Sequence, residues 1–439
     1  MNYAQALQIL DSFINYEKER SYEYPEAFKL DRMRTLAKEF GNPQNAYDSI
    51  ILAGSKGKGS TAVFLSSILR MENLKTGLYT SPHLVDVRER IQVNGLWISE
   101  LRVTEFMARM KKLMDEYSWK KNPPTYFEVL TVMAFFHFKE MKAHVAVLEV
   151  GLGGLYDSTN IAPAKVVALT PIGLEHTDKL GKTVSKIAVQ KCGVIKGREI
   201  VVSSEQLPEV QTVIESACQD REAQLIRLGR DIKIFERSHD EDSQRFDVRM
   251  PWGNFYDLEI RLRGSHQMEN AAQAVALAKA LEKKTRLTIS EAAIKQGLAD
   301  ARWPGRLEKV SDRPRTLLDG AHTVESIKKV LEGLKRHYRF SDLIVIFACA
   351  SDKDAGGMLQ AIAAETECVI LTEIGGSRSV SSRELAEKIP STDKEIIQEP
   401  DPKAALDKAR SLAGPQDLIL VTGSLYLVAM IREAVIGGV

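Results

Sequence analysis

The stretch GSKGKGS (54–60) places three glycines and two lysines between an apolar run and an amphipathic one. Such a sequence can cradle phosphate. Gly54, Gly57 and Gly59 permit positive φ and let backbone N–H groups converge on an anion. A helix opening near Gly59 aims the positive end of its dipole at the same point. Lys58 supplies a point charge, and Ser60 or Thr61 a hydroxyl for phosphate or Mg²⁺. The generic pattern G-x-x-x-x-G-K-[ST] does not fit, because Gly59 separates Lys58 from Ser60 and the glycines stand too close. An ordinary glycine-rich turn would explain the glycines equally well. The strand before and the helix after favour the phosphate reading.

Other residues carry chemistry in combination. Ser81 lies in YTSPHL (79–84) and Glu149 in LEVGLGG (148–154). Glu175, His176 and Asp178 lie in GLEHTDKLG (173–181), and Lys191 in QKCGVIK (190–196). Singly, each has a plain structural explanation: a turn serine before Pro82, a solvated strand end, a loop histidine, a surface lysine. Position adds weight. In an open α/β sheet, ligands sit beyond the carboxyl ends of the strands. Gly54, Ser81, Glu149 and His176 all fall there, on four different strands. Together they can set oxygen and nitrogen ligands around Mg²⁺ beside a nucleotide, although Mg²⁺ prefers oxygen.

These positions require a sheet to hold them. Apolar runs at 49–54, 76–81, 144–151, 165–172 and 199–204, and later at 315–320, 343–350, 368–374 and 417–424, read as strands. Their continuous Val/Ile/Leu content predicts burial on both faces. Alternation with helical stretches such as 324–338 argues for parallel sheets. Residues 225–263 alternate and are more polar, which predicts a small antiparallel section beside the first sheet. Helices follow at 266–284 and 288–299, then the turn signal Trp303-Pro304-Gly305. The expected fold is α/β with two domains, 1–299 and 300–439.

Bulk composition narrows the function classes. Lys+Arg 60 against Asp+Glu 59 leaves no basic excess for a large nucleic-acid footprint. The four cysteines form no C-x-x-C pair, which disfavours a zinc or disulfide framework. No signal peptide is expected at the start, and apolar runs such as DLIVIFACA are too short to span a bilayer. A cytoplasmic protein without membrane partners is expected.

The chain resembles the folylpolyglutamate synthase/dihydrofolate synthase family of the Mur ligase superfamily. The resemblance rests on FKLDRM (28–33), GSKGKGSTAVFLSSIL (54–69), GLYTSPHLVDVRERIQVNG (77–95), PTYFEVLTVMAFFHF (124–138) and LEVGLGGLYDSTN (148–160). It continues through EHTDKLGKTVSKIAVQKCGVIK (175–196), GSHQMENAAQAVA (264–276), WPGRLE (303–308), LDGAH (318–322) and TGSLYLVAMIR (422–432). The family loop, G-T-N-G-K-G-S, carries the same extra glycine. The resemblance implies an N-terminal Mur-ligase-type P-loop domain, with a mostly parallel sheet and a small antiparallel section, and a C-terminal Rossmann-like domain. It implies ATP, one or two Mg²⁺ and room for K⁺.

By the same resemblance, Lys58, Gly59, Ser60 and Thr61 hold ATP phosphates and one metal, with Gly54 and Gly57 in the same loop. Ser81, Glu149 and His176 are ligands of the other Mg²⁺. Lys191 matches a lysine carbamylated in relatives, and Asn270 a residue near adenine. Arg306, Asp319 and His322 close over the nucleotide from the second domain. Lys58, Lys191, His176 and Arg306 are the expected catalytic residues. The implied reaction joins L-glutamate to a folate or dihydropteroate through an acyl phosphate, releasing ADP and phosphate, in a monomer.

The sequence departs from the pattern at Ser55-Lys56, usually Thr-Asn; at Glu175, usually Asp; in ACASDKD (348–354); and at Thr323-Val324, usually Asn-Pro. Two other readings compete: a Mur-type ligase for a different acid, and a nucleotide-binding protein without turnover. TSPHL and PTYFE match the folate branch, and the retained Lys58, Glu149, His176 and Lys191 favour turnover.

Overall fold

The computed structural model describes residues 1–17, 29–376, 378–389 and 394–437, so Phe28 of the FKLDRM stretch lies outside it. The first sheet is built from Asp48–Ala53 (β1), Thr76–Tyr79 (β2), Ile91–Val93 (β3), Leu96–Trp97 (β4), Val145–Glu149 (β5), Ala164–Leu169 (β6), Ile200–Ser203 (β7) and Gln224–Arg227 (β8). Their order is β4-β3-β2-β5-β1-β6-β7-β8. The run from β2 to β8 is parallel, and β3 and β4 add an antiparallel edge. β1 is central. Its Ile50 and Leu52 enter one apolar cluster, and Ile51 and Ala53 the other. A strand covered on both faces has no use for polar alternation, which explains the continuous apolar run.

Five helices matter for the site: Lys58–Met71 (α1), Tyr126–Glu140 (α2), Val184–Cys192 (α3), Ser265–Lys284 (α4) and Glu291–Asp300 (α5). α1 and α4 supply apolar residues to one face of the sheet, and α2 and α3 to the other. Thr125 starts α2 with a capping box: its hydroxyl accepts from Glu128 N, and the Glu128 carboxylate from Thr125 N.

Lys233–His239 (β9), Gln244–Met250 (β10) and Gly253–Ile260 (β11) form a separate antiparallel sheet, ordered β11-β10-β9. The antiparallel section is therefore shorter than the expected 225–263. Residues 224–227 instead extend the parallel sheet beside β7.

A third sheet has the order β12-β13-β17-β14-β15-β16. Its strands are Glu308–Asp312 (β12), Arg315–Leu318 (β13), Leu343–Phe347 (β14), Cys368–Leu371 (β15), Glu395–Gln398 (β16) and Leu418–Thr422 (β17). Only β12 pairs antiparallel. Helix Val324–His337 (α6) packs its Ile327, Leu331 and Leu334 on one face. Its last turn holds Lys335, Arg336 and His337, which suits the negative end of its dipole.

Strands end earlier than the apolar runs suggest: β1 at Ala53, β2 at Tyr79, β5 at Glu149 and β6 at Leu169. The residues that follow leave the sheet and carry the candidate site.

The contact of α1 with α5 is close enough to test. A Cβ at Gly297 would lie 2.4 Å from Ile68 Cα, a backbone atom that cannot swing aside. Gly297→Ala should lower stability by about 1–3 kcal/mol, read as a lower urea midpoint. An unchanged midpoint would refute the close contact.

Candidate active site

Gly54 follows β1 at φ +152°, and a Cβ there would lie 1.9 Å from Thr170 Oγ1. Gly57 caps α1 at φ +81°, with its missing Cβ 2.5 Å from Asn270 Oδ1. Both glycines are required by backbone conformation and by space. Gly59 differs from expectation. It sits in the first turn of α1, and its space is taken by Trp303, 3.1 Å from where a Cβ would stand. Close approach, not positive φ, accounts for Gly59.

The loop is pinned to the strand beside it. Ser55 N and Lys56 N donate to Pro171 O at 2.9 and 3.2 Å. Ser55 Oγ donates to Gly173 O and accepts from Gly173 N, both at 3.1 Å. Thr61 Oγ1 lies 3.4 Å from Asn270 Oδ1, tying α1 to α4. Among the described residues no side chain caps α1, which leaves its first N–H groups open to another acceptor. Lys58 Nζ lies over the loop and donates to Gly54 O at 3.0 Å.

Lys191 is buried on α3 and reaches the same carbonyl, donating to Gly54 O and to Glu175 Oε1, both at 2.7 Å. Burial pushes Lys191 down to about 8, against the pull of Glu175. Burial also works against ionised Glu175, but the charges of Lys191 and Lys58 outweigh it and bring Glu175 down to about 2. Gly154, from LEVGLGG, lets α3 approach: a Cβ there would stand 2.9 Å from Gln190 O and Lys191 O.

Ser81 and Glu149 come together, with Ser81 N donating to Glu149 Oε2 at 3.1 Å. Burial pushes Glu149 up, while Lys58, the Ser81 N–H and Arg306 draw it back in part. Ser60 is buried in the first turn of α1. His176 enters on its own loop at φ +46°, and no hydrogen bond joins it to Ser81 or Glu149 among the described residues. Asp178, exposed, pairs with Lys179 at 3.4 Å. Among the described residues no group of three or more His, Cys, Asp or Glu side chains could cage a metal. One buried carboxylate with serine hydroxyls does fit a Mg²⁺ that keeps waters and takes phosphate oxygens.

The second half contributes from the turn after β13. Asp319 is buried and accepts from Leu307 N at 2.9 Å and Ala321 N at 2.8 Å, so both oxygens hold the turn. Burial raises its pKa, opposed by Arg306 and those two N–H groups. His322 Nδ1 donates to Gly320 O at 2.9 Å, leaving Nε2 as an acceptor. Burial holds His322 down at about 4, and Lys56, Lys353 and Arg306 push the same way. Arg306 donates to Gly305 O at 2.9 Å and lies against Gly320. Its charge is felt by Glu149 of the first half as well as by Asp319 and His322.

Sequence reasoning gave no role to several residues that shape the site. Asp157 accepts from Gly151 N and Leu152 N, both at 3.0 Å, and from Thr159 Oγ1 at 2.6 Å, which organises LEVGLGGLYDSTN. Its signal was the acid at the start of DSTN. Arg90 is buried, paired with Glu17 at 2.7 Å, and donates to His83 Nδ1 at 2.8 Å. A buried arginine inside VRERIQ has no sequence signal of its own.

A phosphate-type loop on a parallel sheet, faced by a second α/β sheet, is the layout of a Mur-type ligase. Residues 52–278 match the Mur ligase middle domain, and residues 305–425 the Mur ligase glutamate ligase domain. The chain is 32% identical over 408 residues to dihydrofolate synthase/folylpolyglutamate synthase of Bacillus subtilis, covering 92% of this chain and 94% of that protein. It is 31% identical to folylpolyglutamate synthase of Lacticaseibacillus casei, with 100% of both covered. It resembles the structure of Mycobacterium tuberculosis folylpolyglutamate synthase complexed with ADP at a TM-score of 0.89 and 29% identity, covering 98% of each chain. The chain belongs to the folylpolyglutamate synthase/dihydrofolate synthase family, and it is an ATP-dependent ligase.

The Lys191–Glu175 pair gives a measurable sign. Glu175 favours the ammonium form of Lys191, so its loss favours the neutral amine. Glu175→Gln should move Lys191 further below about 8. Acetylation of Lys191, followed by mass spectrometry across pH, should then begin at lower pH than in the parent protein. The same or a higher onset would refute the coupling.

Proposed function

We propose that the chain adds L-glutamate to a folate, and to dihydropteroate, through an acyl phosphate. The observation that carries this reading is the opposition of Lys58 on the phosphate loop and Arg306 from the second half, with Glu149 within reach of both charges. The substrate carboxylate attacks the γ-phosphorus of ATP, the bond to the β-phosphate oxygen breaks, and ADP leaves. The glutamate amine then attacks the acyl carbon, phosphate departs, and the amine proton is released.

Gly54, Gly57, Lys58, Gly59, Ser60 and Thr61 bind the phosphates, by loop N–H groups, ammonium and hydroxyls. Lys58 and Arg306 stabilise charge on the phosphoryl group in transfer. Bound Mg²⁺ supplies Lewis-acid polarisation of the phosphate oxygens. Ser60 would hold one such ion at the phosphates, and Ser81, Glu149 and His176 the other, with Glu149 as the buried anion. Asn270 and Asp319 position the nucleoside, Asp319 by fixing the turn that presents Arg306 and His322. Neutral His322 offers Nε2 as an acceptor. The domain division near residue 300 belongs to this reading, because halves that close exclude water from the acyl phosphate.

Lys191 fits carbamylation in one respect: a pKa of about 8 brings the neutral amine, the form that takes up CO₂, within reach. As it stands Lys191 donates to two acceptors, so a carbamate requires Glu175 to turn away. A monomer acting in the cytoplasm completes the reading. Among the described residues no helix is long and apolar enough to cross a membrane.

The decisive assay is ADP release with ATP and glutamate, with dihydropteroate and tetrahydrofolate supplied separately. Stimulation by each is expected. Stimulation by neither would reject the folate reading in favour of another Mur-type acid. Lys58→Ala should reduce turnover at least about a hundredfold; unchanged turnover would sink the phosphate-loop role. Lys191→Ala should lose activity and regain part of it with added short carboxylates. Full activity without them would reject its metal-support role.

A further inference from the structure

Two of the departures from the family pattern touch each other. Lys56 stands where the loop usually has Asn, and Thr323 where the second half has the Asn of DGAHNP. Lys56 Nζ donates to Thr323 Oγ1 at 3.4 Å, across 267 residues of chain. Both ends are fixed. Lys56 N is bonded to Pro171 O at 3.2 Å, and neighbouring Ser55 clasps Gly173. Thr323 is the N-cap of α6: its Oγ1 lies 2.8 Å from Ser326 Oγ and accepts from Ser326 N at 3.3 Å.

The charges around Lys56 come from both halves. Burial works against its ammonium form and lowers its pKa; Glu175 and Glu325 favour that form, while Lys58 and Lys353 oppose it. Glu175 lies on the loop after β6, and Lys58 opens α1. Glu325 opens α6, and Lys353 follows β14. Lys56 thus sits in the seam between the two halves, beside the proposed phosphate site. Ser55 is a minor departure, since a threonine hydroxyl can make the same clasp. Lys56 exchanges a short amide for a long cation, which changes reach and charge together.

We infer that Lys56 is a positioning residue whose ammonium ties the phosphate loop to the cap of α6 and holds the two halves closed over the nucleotide. The inference rests on the phosphate-loop reading above. A closure already held draws less on the nucleotide's own binding energy, so apparent affinity rises. The tie acts on nucleotide capture and leaves the chemical step to Lys58 and Arg306.

The test is a double-mutant cycle with Lys56→Met and Thr323→Val, reading the KM for ATP, kcat, and ADP affinity by calorimetry. Lys56→Met should raise the KM for ATP and the Kd for ADP about five- to tenfold, with kcat within about twofold of the parent. Thr323→Val should move both in the same direction, and the double variant should be no worse than Lys56→Met alone. Lys56→Arg and Thr323→Ser, which retain the cation and the oxygen, should stay near the parent values. Multiplying effects would overturn the tie, because the two residues would then act independently. So would an unchanged KM for ATP in Lys56→Met, or a fall confined to kcat. Lys58→Ala separates the two levels: normal ADP binding there would remove the phosphate-loop reading itself, and the tie with it. Lost ADP binding there with a multiplying cycle would remove only the tie.

Discussion

One backbone carbonyl gathers the positive charge of the first half. Gly54 O accepts from Lys58 Nζ at 3.0 Å and from Lys191 Nζ at 2.7 Å. That carbonyl is available because Gly54 turns out of β1 at a φ no side chain tolerates well, with Thr170 filling the space where a Cβ would be. Two ammonium groups on one oxygen repel each other, and Glu175, bonded to Lys191, offsets part of that repulsion. The remaining positive charge stands at the uncapped N-terminus of α1. A polyanion arriving there would relieve the repulsion and meet the helix dipole together. The loop, the buried lysine and the acid after β6 are thus one electrostatic unit.

The second half answers with the same economy. The turn after β13 is held by Asp319, whose oxygens each take a backbone N–H, and this sets Arg306 and His322 on one side. Leu84, three residues past Ser81, packs on an apolar cluster of the third sheet. The segment carrying Ser81 therefore leans on both halves.

The fold was largely legible because its strands are buried on both faces, which writes unbroken Val/Ile/Leu runs into the sequence. Ile50 to Ala53 feed two cores alternately, so these four positions of β1 are all apolar. Strand ends were less legible, since the runs at 76–81 and 165–172 include Thr80-Ser81 and Thr170-Pro171-Ile172, which lie in loops that leave the sheet. The placement of Gly54, Ser81 and His176 beyond strand ends, and of Glu149 at the last position of β5, followed from topology and could be anticipated. What joins them could not. Lys191 meets Gly54 from a different helix, and Lys56 meets Thr323 from the other half of the chain. A single sequence carries no distance between such pairs. Residues 225–227 were read with the antiparallel section because β8 is a short edge strand, and edges tolerate the polar alternation of antiparallel strands.

Gly59 gives the odd loop length a meaning beyond phosphate. The helix turn it occupies is the seat for Trp303, which lies on the connection between the two halves. Loop and connection therefore form a matched pair. Grafting a generic phosphate loop into this scaffold, with lysine followed directly by serine, would fill or displace that seat. The connection would lose its register against the first half even if the new loop folded. Modularity in this architecture stops at the indole ring.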